Sequence, residues 1–266
     1  AAASKPRCSD FSVQEIANLA WAFARRGIAD GPLMAALAAA SMAKIPEFGS
    51  QGHSNTVWSF AVLILRDEPL RSSLSSSAIR KITEFSLQDL SNTVWAIARL
   101  LFLDRPLLAA IASASLPKLA DFAVQNLSNT VWSLATLPFR HHGPLLPAIA
   151  AAAMPKITVF DSQALGNTAW AVSRLEYPHD GPLVPALSAA AIPLGGRLHG
   201  QSRAALADAL AASPPLGPHL LRGLLAELAS FVEAGIVAAG WQRPWDARLS
   251  GRHPQTSEGE ELEETV

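Results

Sequence analysis

An all-α solenoid of stacked helical hairpins is the fold predicted by this chain of 266 residues, and three observations predict it. Trp21, Trp58, Trp95, Trp132 and Trp170 recur at intervals of 37, 37, 37 and 38 residues. The same register holds for Phe11, Phe48, Phe85, Phe122 and Phe160, for Gln14, Gln51, Gln88, Gln125 and Gln163, and for Asn18, Asn55, Asn92, Asn129 and Asn167. Each period contains two helical patterns, the second led by Pro32, Pro69, Pro106, Pro144 or Pro182 as its expected first helical residue. Two helices of about three turns each cannot bury their apolar faces alone, so the hairpins must stack, each covering its neighbour.

In chain order, residues 1–9 read as an N-terminal remnant and residues 10–197 as five hairpin repeats. The one extra residue of the fourth copy falls between Leu137 and Pro144, which marks a turn. Residues 198–240 read as a degenerate capping repeat, in which Gln201 keeps its register while Ala205 and Asp208 replace the Asn and the Trp. Residues 241–266 are expected to be a disordered tail ending in Glu258, Glu260, Glu261, Glu263 and Glu264. The opening Ala-Ala-Ala-Ser-Lys-Pro-Arg lacks the apolar run of a signal peptide and is expected to be a cropped or processed start.

Composition narrows the chemistry. The single cysteine, Cys8, excludes an internal disulfide framework and a zinc site of paired thiolates. Apolar runs are interrupted, as by Arg99, Asp104, Arg105 and Pro106 between Trp95 and Leu116, so no segment is expected to span a membrane. Histidines 53, 141, 142, 179, 199, 219 and 253 follow no ligand spacing, and neither a Gly-rich phosphate loop nor a nucleophile elbow is present. The expectation is a protein without cofactor, metal or enzymatic activity. Setting aside the five terminal glutamates leaves 21 basic residues against 17 acidic, a body at about +4.

At 100° per residue from the glutamine, positions +2, +6 and +9 share a core face. Gln, Asn (+4), Trp (+7) and +11 share the opposite face, and +11 reads Arg25, Val62, Arg99, Thr136 and Arg174. Two readings compete for this face. In one, Trp packs against the next repeat and the amides bond backbone groups at the turns. In the other, amides meet base edges, Trp stacks on bases and Arg neutralises phosphate.

Columns that vary while staying exposed are the better candidates for discriminating bases: +1 with Asp89 and Asn126, +5 with Thr93 and Thr130, +8 with Ser133. Alternatively they are a solvated first turn and close-packing positions. Lys44, Lys81, Lys118 and Lys156 form a ladder at the end of the second helix, suited either to tracking a phosphate backbone or to complementing a helix C-terminus.

The string Phe-x-x-Gln-x-Leu-Ser-Asn-Thr-Val-Trp-Ala-x-Ala resembles the octotricopeptide and related heptatricopeptide repeats of organellar RNA-binding proteins, themselves related to the leucine-rich region of FAST-kinase-like proteins. The resemblance covers about residues 10–200 and is specific at Ile16 to Ala22, Leu90 to Ala96 and Leu165 to Ala171. Ser59 and Ser133 depart from its Ala, and His53 from its Leu. It implies binding of single-stranded RNA in the mitochondrial matrix or chloroplast, in RNA processing, stability or translation. The chain is expected to be a monomer, with other RNA-processing proteins as further partners. The competing expectation is a protein-protein interaction scaffold.

Overall fold

A computed structural model describes residues 5–137, 144–175 and 182–191, all within one compact unit of residues 1–220. The expected capping repeat and acidic tail, and most of the inserted turn, lie outside the described residues.

Ten α-helices and no strand occur among the described residues: α1 Val13–Arg25, α2 Gly31–Ala43, α3 Ser50–Val62, α4 Glu68–Lys81, α5 Leu87–Arg99, α6 Arg105–Ser115, α7 Val124–Thr136, α8 Leu145–Ala153, α9 Ser162–Arg174 and α10 Leu183–Ala191. They alternate as first and second helices of five hairpins. The first helices pack side by side, α1 on α3, α3 on α5, α5 on α7 and α7 on α9, while α2, α4 and α6 pack along a second layer. This is the all-α solenoid that the repeat predicts. A 3₁₀ turn follows each of α2, α4, α6 and α8 and hands the chain to the next hairpin.

The local sequence explains where each helix starts. Ser12 and Ser86 cap α1 and α5 in reciprocal boxes with Glu15 and Asp89. Asp161 caps α9 through the Ala164 amide. Asp30, Asp67 and Asp104 cap the second helices by accepting from the amides of Leu33, Leu70 and Leu107 at 2.9–3.0 Å. The prolines therefore sit one place away from the expected first helical position. Pro32, Pro69 and Pro106 are second helical residues, while Pro144 and Pro182 immediately precede α8 and α10. The shift has little cost, because an amide in the first turn has no helical acceptor to lose.

Three first helices end the same way. Gly27, Ile64 and Leu101 take φ of +66°, +56° and +53°, and the amides that follow them return to Phe23, Phe60 and Ile97. The left-handed residue satisfies orphan carbonyls and reverses the chain, conformationally easy for Gly27 and strained for the β-branched Ile64.

Between the layers lie the +2, +6 and +9 residues of the first helices and the Leu-rich face of the second, with Ile16, Leu33, Leu37, Leu90 and Leu127 essentially solvent-free. The short N-terminal 3₁₀ turn Lys5–Asp10 packs on α2, and Cys8 joins the first core cluster. The segment read as a remnant thus contributes to the end of the core.

The second hairpin has a more polar interior than its neighbours. His53 stands where the other copies carry Ile16, Leu90, Leu127 and Leu165, and Arg71 where they carry Met34, Leu108, Leu146 and Val184. Both line one cavity of about 20 Å³ with Thr93. Burial pushes the His53 imidazole below its ordinary pKa; a hydrogen bond to the Gly49 carbonyl and the Asp89 carboxylate oppose the shift, and Lys81 and Arg80 add to it.

Candidate nucleic-acid interface

Four lysines recur once per hairpin, and the structure ties each of them inward. The ammonium of Lys44 donates to the Phe11 carbonyl at 2.6 Å, Lys81 to Phe48 at 2.7 Å, Lys118 to Phe85 at 3.3 Å and Lys156 to Phe122 at 2.6 Å. Lys81 and Lys156 also hold Pro46 and Ala120. Each phenylalanine immediately precedes the cap of its first helix, and its ring occupies the core; Phe48, Phe85 and Phe122 are at most 1% exposed. The lysine thus closes the end of a repeat onto its own beginning. Half-buried and charge-assisted, these bonds make the ladder a set of structural clasps rather than a row of free cations.

The varied flank expected to be exposed is instead buried between adjacent first helices. Asp89 is 6% exposed, and Thr93, Thr130 and Ser133 are no more than 3%. Asp89 accepts a hydrogen bond from Ser54 of the preceding repeat at 2.5 Å, and Asn126 donates to Ser91 in the same register at 2.8 Å. Thr130 and Ser133 donate to carbonyls one turn back on their own helix, those of Asn126 and Asn129. The physical reason is the stacking itself. Each inner first helix touches three neighbours, so both of its flanks are interface and the small side chains there let backbones approach. Asp89 and Asn126 thus latch one repeat to the one before it, while Thr93, Thr130 and Ser133 are small side chains closed off in the seam between first helices.

The uncommitted polar surface lies on the outer face, opposite the second helices. All five glutamines of the repeat are exposed; Asn18 is exposed and the four other asparagines are half-buried. None of these ten amide side chains makes a hydrogen bond among the described residues, so the alternative that they bond the hairpin turns is not what the geometry shows. Trp21 is 42% exposed and the other four tryptophans are half-buried. Trp58 and Trp95 lie 6.3 Å apart between centroids, tilted 30°, and Trp132 and Trp170 lie 6.2 Å apart, tilted 32°. The rings therefore do pack across repeats, as the structural reading holds, yet keep accessible surface.

The arginines of this face stand over the tryptophans one turn before them. Arg25, Arg99 and Arg174 place their guanidinium carbons 5.7, 5.8 and 5.6 Å from the ring centroids of Trp21, Trp95 and Trp170, within cation–π range. Arg174 also donates through Nε to the Ala135 carbonyl at 3.0 Å. Of the lysines, arginines and varied-flank residues set out above as candidates for RNA contact, the structure brings only these three arginines to the outer face. The repeated amides and tryptophans beside them complete it, and their identity in every copy is the signal by which sequence could have ranked them first.

The face joins aromatic planes, cations and unpaired amides in one row, the chemistry that holds single-stranded nucleic acid. Among the described residues, no group of three His, Cys, Asp or Glu is placed to hold a metal ion, and no helix is long and apolar enough to cross a membrane.

Residues 6–120, the first three repeats, match the family model of the RNA-editing substrate-binding complex 6 protein, RESC6. This stretch is similar to that family. No curated protein matches the chain.

Proposed function

We propose that the outer face of the first-helix layer binds single-stranded RNA, without catalysis, as part of an RNA-processing, RNA-stabilising or translational role. The observation that carries this reading is the row of Gln, Asn and Trp repeated in five hairpins, with its amides lacking partners among the described residues. A buried amide would need an internal partner, whereas an exposed and repeated one is available to base edges and sugar hydroxyls. Arg25, Arg99 and Arg174 supply the charge. Lys44, Lys81, Lys118 and Lys156 have no primary part in this reading, because carbonyls of their own repeat already engage them.

The RESC6 match over the first three repeats supports an RNA-associated role and points to protein partners in an RNA-editing assembly. We propose that the chain acts there as a monomer. The mitochondrial matrix or chloroplast is the compartment implied by the repeat resemblance.

Fluorescence anisotropy of the full chain against a random single-stranded RNA pool, with a duplex competitor and two salt concentrations, tests the reading. Salt-sensitive binding that the duplex does not displace is expected. No binding at low salt would overturn it in favour of a protein scaffold.

A further inference from the structure

The outer face carries Gln, Asn and Trp in every hairpin, but its ring contacts recur in every second one. Ring contacts join Trp58 to Trp95 and Trp132 to Trp170, and none joins Trp21 to Trp58 or Trp95 to Trp132. The +11 position alternates in step, with Arg25, Arg99 and Arg174 in the first, third and fifth copies and Val62 and Thr136 between them. So does +8, where Ser59 and Ser133 mark the second and fourth copies, each donating at 2.6 Å to the carbonyl of the outer-face asparagine one turn back. Alanine stands there in the other three. Three features with the same alternation describe a unit of two hairpins. Each complete unit contains two touching indoles and one guanidinium, lying over the ring of the second.

Ring centroids at 6.2–6.3 Å leave too little space for a base between the members of a pair. A sandwiched base needs a van der Waals separation on both sides, about 7–8 Å in all. Each pair must therefore offer its outer surface to the ligand as a single platform, and removing either indole strips the other of its support. The guanidinium adds a donor and a positive charge at the same place, suited to a phosphate.

Resting on the RNA reading above, we infer that the binding unit is a pair of hairpins, so that single-stranded RNA is gripped at Trp58–Trp95–Arg99 and again at Trp132–Trp170–Arg174, once per two repeats rather than once per repeat. Trp21 and Arg25 form a half-unit among the described residues.

Double-mutant cycles on the full chain, read by equilibrium binding to single-stranded oligouridine, test the unit. Trp58→Ala and Trp95→Ala should each weaken binding about 5- to 150-fold, the range of one lost stacking platform. Together they should weaken it hardly more than either alone. Trp95→Ala with Trp132→Ala, which removes one member from each unit, should instead multiply the two losses. A second cycle keeps an aromatic ring at every tryptophan position: Arg99→Gln should reduce the salt slope by about 0.7, and its effect should fall in a Trp58→Phe background but persist in Trp132→Phe. Far-UV circular dichroism and urea midpoints identify any variant that does not fold, for which the arginine cycle decides. Wild-type binding with equal, independent losses for every tryptophan pair would overturn the two-hairpin unit and leave the RNA reading standing. Absence of wild-type binding would overturn both.

Discussion

The lysine row and the tryptophan row recur with the same period, yet the protein uses them differently. Lys81 is turned onto two carbonyls and closes its hairpin, whereas Gln88, one helix later, extends from the outer face with no internal partner. Periodicity alone does not separate a clasp from a contact surface. What separates them is whether the polar atoms are already engaged, since an engaged donor stabilises the fold and an unengaged, exposed one is available to a ligand.

This contrast can be broken by mutation. Lys81→Met should produce the largest change, a loss of about 1.5–3 kcal/mol in urea unfolding for a charged donor removed from its acceptors, with no change in the salt dependence of RNA binding. A reduced salt slope at unchanged stability would return the lysines to the ligand surface. A smaller effect should come from acid. The folded-state pKa of His53 is depressed, so the unfolded chain takes up its proton first. Its contribution is complete above the ordinary histidine range and declines as pH falls through that range toward the depressed folded value. His53→Leu should flatten this part of the pH–stability curve, measured by thermal melts; an unchanged curve would show that His53 does not titrate with unfolding. Gln88→Ala should change stability least, within about 0.5 kcal/mol, while weakening RNA binding measurably. A substantial loss of stability would place the outer face on the structural side of the comparison.

The hairpin stack was legible because Phe, Gln, Asn and Trp mark every copy, and no other architecture buries five such hairpins in register. The aspartate caps were visible as well, since Asp30, Asp67 and Asp104 each stand two residues before a proline, but the proline was the stronger start signal. The flank of Asp89, Thr93 and Ser133 was not legible. A helical wheel gives one helix a single inside, while in this stack α5 touches α3, α6 and α7, so both flanks become interior. Nor could sequence decide what the lysines touch, because a cation near a helix end suits a carbonyl and a phosphate equally. That the arginines lie over the tryptophans was legible because the two share one stripe at a spacing of four, which fixes a helical face without reference to any neighbour.

The clasp has a consequence for how such a chain can vary. Lys44, Lys81 and Lys118 each reach back 33 residues to their phenylalanine, and Lys156 reaches back 34. The fourth hairpin thus absorbs an added residue inside the clasped span and still closes at the same atoms. Growth of the turn is decoupled from the pitch of the array, so a loop could be lengthened to acquire a new specificity while the hairpins on either side keep their alignment.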